Sequence, residues 1–271
     1  MSDELGDRMK GYEAVESGRR CMPYLPVMAR LDGRSFSKFT KGLVRPFDLG
    51  LSNLMIQVTN RLVQETVACC GYTQSDEISL VWYTSNPGSQ IYFDGRIQKM
   101  VSVLAARCSV IFNSLLPQFV PDKAKSEPVF DCRVWQVPTL EEAANTFLWR
   151  ELDATKNSIS MLAREYYSHI ALDGKSSRDK QEMLFQKGIN WNDCPDFFKR
   201  GTYIQRRTVQ RKLTEEELQE LPALHHARLN PEIEVSRRTY LRLSMPPFNK
   251  IVNRVGVIFR GEEPILTADA S

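Results

Sequence analysis

The chain has 271 residues, 42% apolar and 25% charged, with a formal net charge of +3. Such a composition supplies one sizeable core, or a core with a substantial appendage, and excludes a disordered or low-complexity chain. Its six cysteines (Cys21, Cys69, Cys70, Cys108, Cys132, Cys194) contain no C-x-x-C pair, which excludes a stapled secreted scaffold and leads us to expect reduced thiols in a cytoplasmic protein.

The first twenty residues are charged throughout and lack an apolar h-region. No later run reads as the ~20 apolar residues that cross a bilayer, so no membrane partner is expected. Tyr24 to Gly33 (YLPVMARLDG) reads as a buried strand ending in a turn at Asp32-Gly33. From Leu51, apolar residues recur at helical spacing through Val67, and Gly71 is expected to close that helix. Glu77 to Thr84 (EISLVWYT) is rich in β-branched and aromatic residues, and Asn86-Pro87-Gly88-Ser89 is a turn signal, so a hairpin with Gln90 to Phe93 is expected. A second amphipathic helix runs from about Ile97 to Leu116, broken by Pro117 and Pro121, and Pro128 to Val137 is a further strand.

The order strand, helix, two strands, helix, strand is that of a ferredoxin-like split βαβ unit, the architecture of polymerase palms and nucleotide cyclases. We therefore expect an α+β fold, with a palm-like catalytic core over residues 1–138. Residues 139–271 would form a helical and irregular extension that completes the core. In that extension Thr139 to about Ile170 reads as a helix, with Thr139 as N-cap and Glu142 completing a capping box. Ser176 to Gly188 and TEEELQEL also read as helices, and Tyr203 to Val209 and Arg254 to Phe259 as strands.

Two segments carry chemistry: RLDGRSF (Arg30 to Phe36) and GYTQSDEISLV (Gly71 to Val81), each with a carboxylate at a strand edge. In a split βαβ unit the first strand and the hairpin are neighbours. Asp32, Asp76 and Glu77, with a backbone carbonyl near Gly33, then make an all-oxygen set suited to Mg²⁺, and Gly33 admits a close approach to the backbone. Two ions about 3.5 to 4 Å apart serve in-line phosphoryl transfer without a covalent protein intermediate. Alone, Asp32-Gly33 reads sooner as a turn and Asp76-Glu77 as an exposed strand start; their joint occurrence within whole motifs reverses that. Lys187, Lys199, Arg200, Arg206, Arg207 and Arg211 form a local basic excess, either a solvated face or a phosphate-binding one.

Taken together, RLDGRSFSKF, Arg45-Pro46-Phe47-Asp48, GYTQSDEISLV, FDCR (Phe130 to Arg133) and VIFRGEEPI resemble, in this order, the tRNA-histidine guanylyltransferase family. The resemblance implies nucleotide addition to the 5′ end of tRNA, opposite in direction to ordinary polymerases. A 5′-monophosphorylated tRNA is first adenylylated by ATP, and the 3′-hydroxyl of an incoming nucleotide such as GTP then attacks the activated phosphate. It implies Asp32, Gly33 and Asp76 as ligands of two Mg²⁺ ions, with Glu77 the adjacent catalytic carboxylate. Arg30, Gly33, Arg34, Ser75 and Lys99 then fall at nucleotide or phosphate contacts, and a dimer of dimers, a homotetramer, is the implied assembly.

Two departures bear on the substrate. Arg45 stands where eukaryotic members carry lysine, keeping the charge of a nucleotide contact but not its geometry. Thr155-Lys156-Asn157-Ser158 stands where they carry His-Ile-Asn-Asn, so the histidine is missing. That resembles the bacterial and archaeal relatives that repair truncated tRNA 5′ ends against the opposite strand. Templating by base pairing leaves the protein to read helix shape and phosphates, for which the six basic residues above are the candidates.

The alternatives are a dedicated tRNA-histidine enzyme adding guanosine at position −1, a non-catalytic tRNA-binding module, and a palm-fold cyclase. The carboxylates speak against the binding module, since clustered charge beside a polyanion is costly. His225-His226 lacks a third metal ligand, Cys69-Cys70 ends a helix, and Trp82 and Trp135 are expected in the core, so none of these receives a catalytic role.

Overall fold

A computed structural model describes residues 3–230, 232–243 and 245–267. The main elements are α1 (Glu4–Ser17), β1 (Val27–Gly33), α2 (Leu49–Thr66), β2 (Cys70–Gln74), β3 (Glu77–Trp82) and α3 (Ile97–Phe119). They continue with β4 (Phe130–Gln136), α4 (Leu140–Arg164), α5 (Ser177–Phe185), α6 (Asp196–Arg200), β5 (Thr202–Lys212) and β6 (Glu234–Leu243). One six-stranded sheet has the order β4-β1-β3-β2-β5-β6, with every neighbouring pair antiparallel. Its first four strands with α2 and α3 are the split βαβ unit, and the fold is the α+β palm.

Alternation along the strands builds two cores. Val27, Ala29 and Leu31 of β1 with Ile78, Leu80 and Trp82 of β3 meet Leu54, Val58 and Leu62 of α2 and Leu104 and Phe112 of α3. On the opposite face Met28, Val81, Tyr72 and Tyr203 meet Ala143 and Phe147 of α4 and Phe248, Val257 and Ile258. Each fully buried Leu or Phe contributes about 1.5–3 kcal/mol, so these faces hold the strands rigidly under the site. A third cluster joins the end of α4 to α5 and α6 through Leu162, Leu172, Leu184 and Phe198.

α3 departs from the sequence reading in two ways. It runs through Pro117 to Phe119, and by length and composition it is the one helix among the described residues able to cross a membrane. Its apolar face (Met100, Leu104, Cys108, Ile111, Phe112, Leu116) is buried in the first core, which accounts for the apolar composition.

The hairpin also lies elsewhere. β3 pairs with β2, which precedes it, whereas Tyr92–Gly95 is a 3₁₀ turn. Gly71 does not end α2; Val67 does, in the left-handed region at φ 56°. Gly71 belongs to β2, where a Cβ would come within 2.6 Å of Val63 and 2.9 Å of Thr59, so its absence lets α2 lie close on the strand. α4 starts at the expected N-cap, Thr139 Oγ1 accepting from the Glu142 N–H at 3.1 Å, but the capping box is not completed, since the Glu142 carboxylate accepts from the Asn145 amide at 3.0 Å, and the helix stops at Arg164. Gly256–Arg260 is a helical turn, not a strand; β6 and α1 were not expected at all.

Candidate active site

β1 lies between β3 and β4, which puts Asp32 directly opposite Glu77 on one side and Asp131 on the other. Opposed residues share a face, so three carboxylates cross three strands in one row at the strand ends. The next row on that face is Arg133, Arg30, Ser79 and Tyr72. The short turn joining β2 to β3 is Ser75-Asp76, with Ser75 held at φ 53°. The Gly33 N–H donates to the Asp76 carbonyl at 3.1 Å, so this turn is tied to the end of β1 and Asp76 stands beside Asp32.

The carboxylates have different surroundings. Burial pushes the Asp76 carboxyl up from its ordinary range, and the charge of Asp32 adds to that, while the Ser75 hydroxyl, donating at 3.0 Å, opposes it. Glu77 is turned to Arg150 of α4, whose Nε and Nη2 donate to its two oxygens at 2.6 and 2.7 Å. Burial lifts the Glu77 carboxyl as well, and Arg150 and Arg30 oppose the rise. Arg150 also donates to Asp153 at 3.0 Å. Asp32 and Asp76, with the exposed Asp131 opposite Asp32, therefore remain the side-chain donors at the end of the sheet.

Gly33 is constrained by packing as much as by any ligand. A Cβ there would sit 2.2 Å from the Phe36 ring, which is buried against Phe39, Phe112 and Phe130. Arg34 is exposed, with its N–H donating to the Val129 carbonyl at 2.9 Å.

Beside the hairpin turn opens a cleft of ≈ 390 Å³ between the segment 37–52, Gln74-Ser75, the end of α4 and α6. Leu43, Phe47, Phe197 and Phe198 give it apolar walls; Arg45, Arg164, Ser75 and the carboxylates Asp48 and Glu165 give it polar ones, with Arg45 3.9 Å from Glu165. A part-apolar cleft with two arginines and hydroxyl groups suits a nucleobase carrying phosphates, provided the phosphates lie toward Arg45 and Arg164 and away from Asp48 and Glu165. Arg45 and Ser75, expected at nucleotide contacts, line it; Arg30, Gly33 and Arg34 stand at the end of β1. Lys99 lies at the start of α3 over the Phe93 ring, 4.9 Å from its centroid, and lines neither. Arg164 and Phe197 went unnoticed because helix ends distant in sequence bring them here. Asp131 lay inside FDCR, and its position opposite Asp32 follows from strand register alone.

The basic candidates for RNA contact are largely met within the chain. Lys199 and Arg200 pair with Asp196 at 3.4 and 2.6 Å. Arg207 pairs with Glu263 at 2.6 Å, and Arg211 with Glu217 at 2.7 Å. Arg206 donates to the Val67 carbonyl at 2.5 Å, and Lys187 lies over Tyr167. Arg237, Arg238 and Arg242 of β6 are exposed, and among the described residues no carboxylate lies within ion-pair distance of them.

Comparison with known proteins agrees with this geometry. A family model described as tRNAHis guanylyltransferase matches residues 6–138, and one described as Thg1 C terminal domain matches residues 139–239. The tRNA(His) guanylyltransferase of Schizosaccharomyces pombe is 29% identical over 78% of this chain and 84% of its own. A bacterial tRNA(HIS) guanylyltransferase (Thg1)-like protein solved with ATP superposes with a TM-score of 0.70 at 38% identity, over 74% of this chain and 88% of that one. Another such structure, with GTP, has a TM-score of 0.70 at 30% identity, over 92% and 95%. Palm topology, carboxylate row and adjoining cleft thus coincide with matches along most of the chain, which belongs to the tRNA-histidine guanylyltransferase family of nucleotidyltransferases.

Proposed function

We propose that the protein repairs tRNA 5′ ends, adding nucleotides in the 3′-to-5′ direction under the direction of the opposite strand, with ATP and GTP among its substrates. The observation that carries this reading is Thr155-Lys156-Asn157-Ser158 on α4, a segment without histidine where the resemblance to the eukaryotic members implies a His-Ile-Asn-Asn motif. Ser158 is buried and bonded to Trp191, whose indole N–H donates to it at 3.1 Å. Lys156 and Asn157 are exposed. A chain lacking the histidine and relying on base pairing needs few base-reading side chains.

The donor set fits Mg²⁺. Among the described residues no three His, Cys, Asp or Glu side chains converge as a metal cage. Mg²⁺ is commonly held by one or two carboxylates together with substrate phosphates and water, and Asp32 and Asp76 supply the carboxylates with the Gly33 main chain beside them. When bound, such ions neutralise the charge that develops on the phosphates. The protein's own part is positional: Asp76 is fixed by the Gly33 bond, Arg150 holds Glu77, and the cleft seats the nucleotide so that the RNA 5′ phosphate meets its α-phosphate. Pyrophosphate leaves in that step, and AMP leaves when the 3′-hydroxyl of the incoming nucleotide attacks. The six free cysteines support a reducing, cytoplasmic setting. Exposed Leu5, Met9, Tyr12 and Val15 on α1 support association into the homotetramer we propose.

The test is a comparison of substrates: labelled tRNA lacking its first nucleotide against full-length tRNA-histidine, with each nucleoside triphosphate supplied singly. Extension of the truncated tRNA is expected. Guanosine added only to full-length tRNA-histidine would favour the dedicated enzyme, and no addition to either would favour a binding module.

A further inference from the structure

Trp149 stands on α4 with 53% of its surface exposed, unlike Trp82, which is buried with its indole N–H donating to the Thr66 carbonyl. So large an exposed aromatic face is open to stacking. The ring is nevertheless held in place. The Arg150 and Arg30 guanidinium carbons lie 4.5 and 5.8 Å from its centroid. Both cations belong to the site: Arg150 grips Glu77 with two bonds, and Arg30 precedes Asp32 by two residues on the same face of β1. The indole is therefore tied to the carboxylate row by one intermediate side chain on each path.

Its surroundings select a ligand. The Arg30 Nε is buried without a hydrogen-bond partner, and the carboxylate paired with it, Glu77 Oε2, stands 3.9 Å away, so the charge of Arg30 is only loosely met within the chain. Arg133, directly opposite Arg30 on β4, is exposed, and its nearest carboxylate, Asp131, is 3.9 Å away. An open aromatic face bordered by two loosely paired cations, Arg30 and Arg133, matches a nucleobase with its attached phosphate, a pairing that stacking and charge favour together.

We propose that Trp149 is the stacking platform for the terminal base of the RNA, holding that end over Asp32 and Asp76 while Arg30 and Arg133 meet its phosphate. The proposal rests on the RNA-end reading and adds the residue that positions the end. A second copy of the chain covering Trp149 is the competing occupant.

The experiment uses the full chain with Trp149→Ala and Trp149→Phe. For Trp149→Ala, the KM for truncated tRNA should rise roughly five- to hundred-fold, while the KM for ATP holds. Trp149→Phe should recover most of that loss, because phenylalanine still stacks. Wild-type tryptophan emission should change on titration with a short RNA duplex bearing a 5′ phosphate, and Trp149→Phe should lose that change. An unaltered RNA KM in Trp149→Ala, or a drop in mass by sedimentation, would overturn the platform. Wild-type protein that neither binds nor extends RNA would instead overturn the RNA-end reading itself.

Discussion

Arg150 and Glu77 meet edge to edge, with two bonds of 2.6 and 2.7 Å between groups 73 residues apart in the chain. Both side chains are 11% exposed, so the pair has left water and each charge depends on the other. Arg150→Ala strands a buried carboxylate next to Asp76 and should cost about 3–5 kcal/mol of stability in urea unfolding. Adding Glu77→Gln should return a large part of that loss, a coupling that a double-mutant cycle reads directly. Arg150→Lys keeps the charge but cannot form both bonds, and should fall between.

Gly33→Ala tests how tightly the carboxylate strand is packed. Its Cβ would overlap the Phe36 ring, which lies within a buried aromatic cluster. The expected cost is about 1–3 kcal/mol, with a fall in nucleotide transfer larger than the lost stability explains, because Asp32 is the neighbouring residue. A variant with unchanged melting temperature and activity would show that Phe36 moves aside freely.

Asp32→Asn and Asp76→Asn preserve shape while removing charge. Nucleotide transfer should fall by orders of magnitude in each, with tRNA binding by filter retention within a few-fold of wild type. In the Asp32→Asn protein the carboxyl of Asp76 should also titrate lower, since one of the causes lifting it is gone.

Glu151 predicts a pH signature unconnected with catalysis. It is 4% exposed; burial pushes its carboxyl up to about 7 from an ordinary 4.5, against the bonds from the Phe248 N–H and the Tyr203 hydroxyl. The folded chain therefore holds a proton that the unfolded chain releases. Stability from this group is greatest below about pH 4.5, declines as pH rises toward 7, and is level above, a change of roughly 3 kcal/mol. Wild type minus Glu151→Gln in urea unfolding between pH 5 and 8 isolates it. A difference that does not vary over that range contradicts the assignment.

The split βαβ order was legible because strand and helix periods differ, and each of β1, β3, α2, α3 and β4 carries its own period clearly. Gly71 misled because a glycine after an apolar helix reads as a stop, whereas here it admits α2 onto β2. Gly256–Arg260 was unreadable for a different reason: a short run such as Val-Ile-Phe is equally apolar in a buried turn and a buried strand. β6 stayed hidden under Arg237, Arg238 and Arg242, which solvate an edge strand rather than fill a core. At the site, Asp32 and Asp76 could be placed because one lies at the end of β1 and the other in the turn just before β3. The partner of Glu77 could not, nor the apolar walls of the cleft, since tertiary packing alone brings α4 and α6 to the hairpin turn.

Template direction is tested most directly by changing the base opposite the missing 5′ nucleotide in a truncated tRNA and measuring which nucleoside triphosphate is added. Incorporation that follows the complement at each of the four template bases is the predicted result. Guanosine added whatever the opposing base would contradict it.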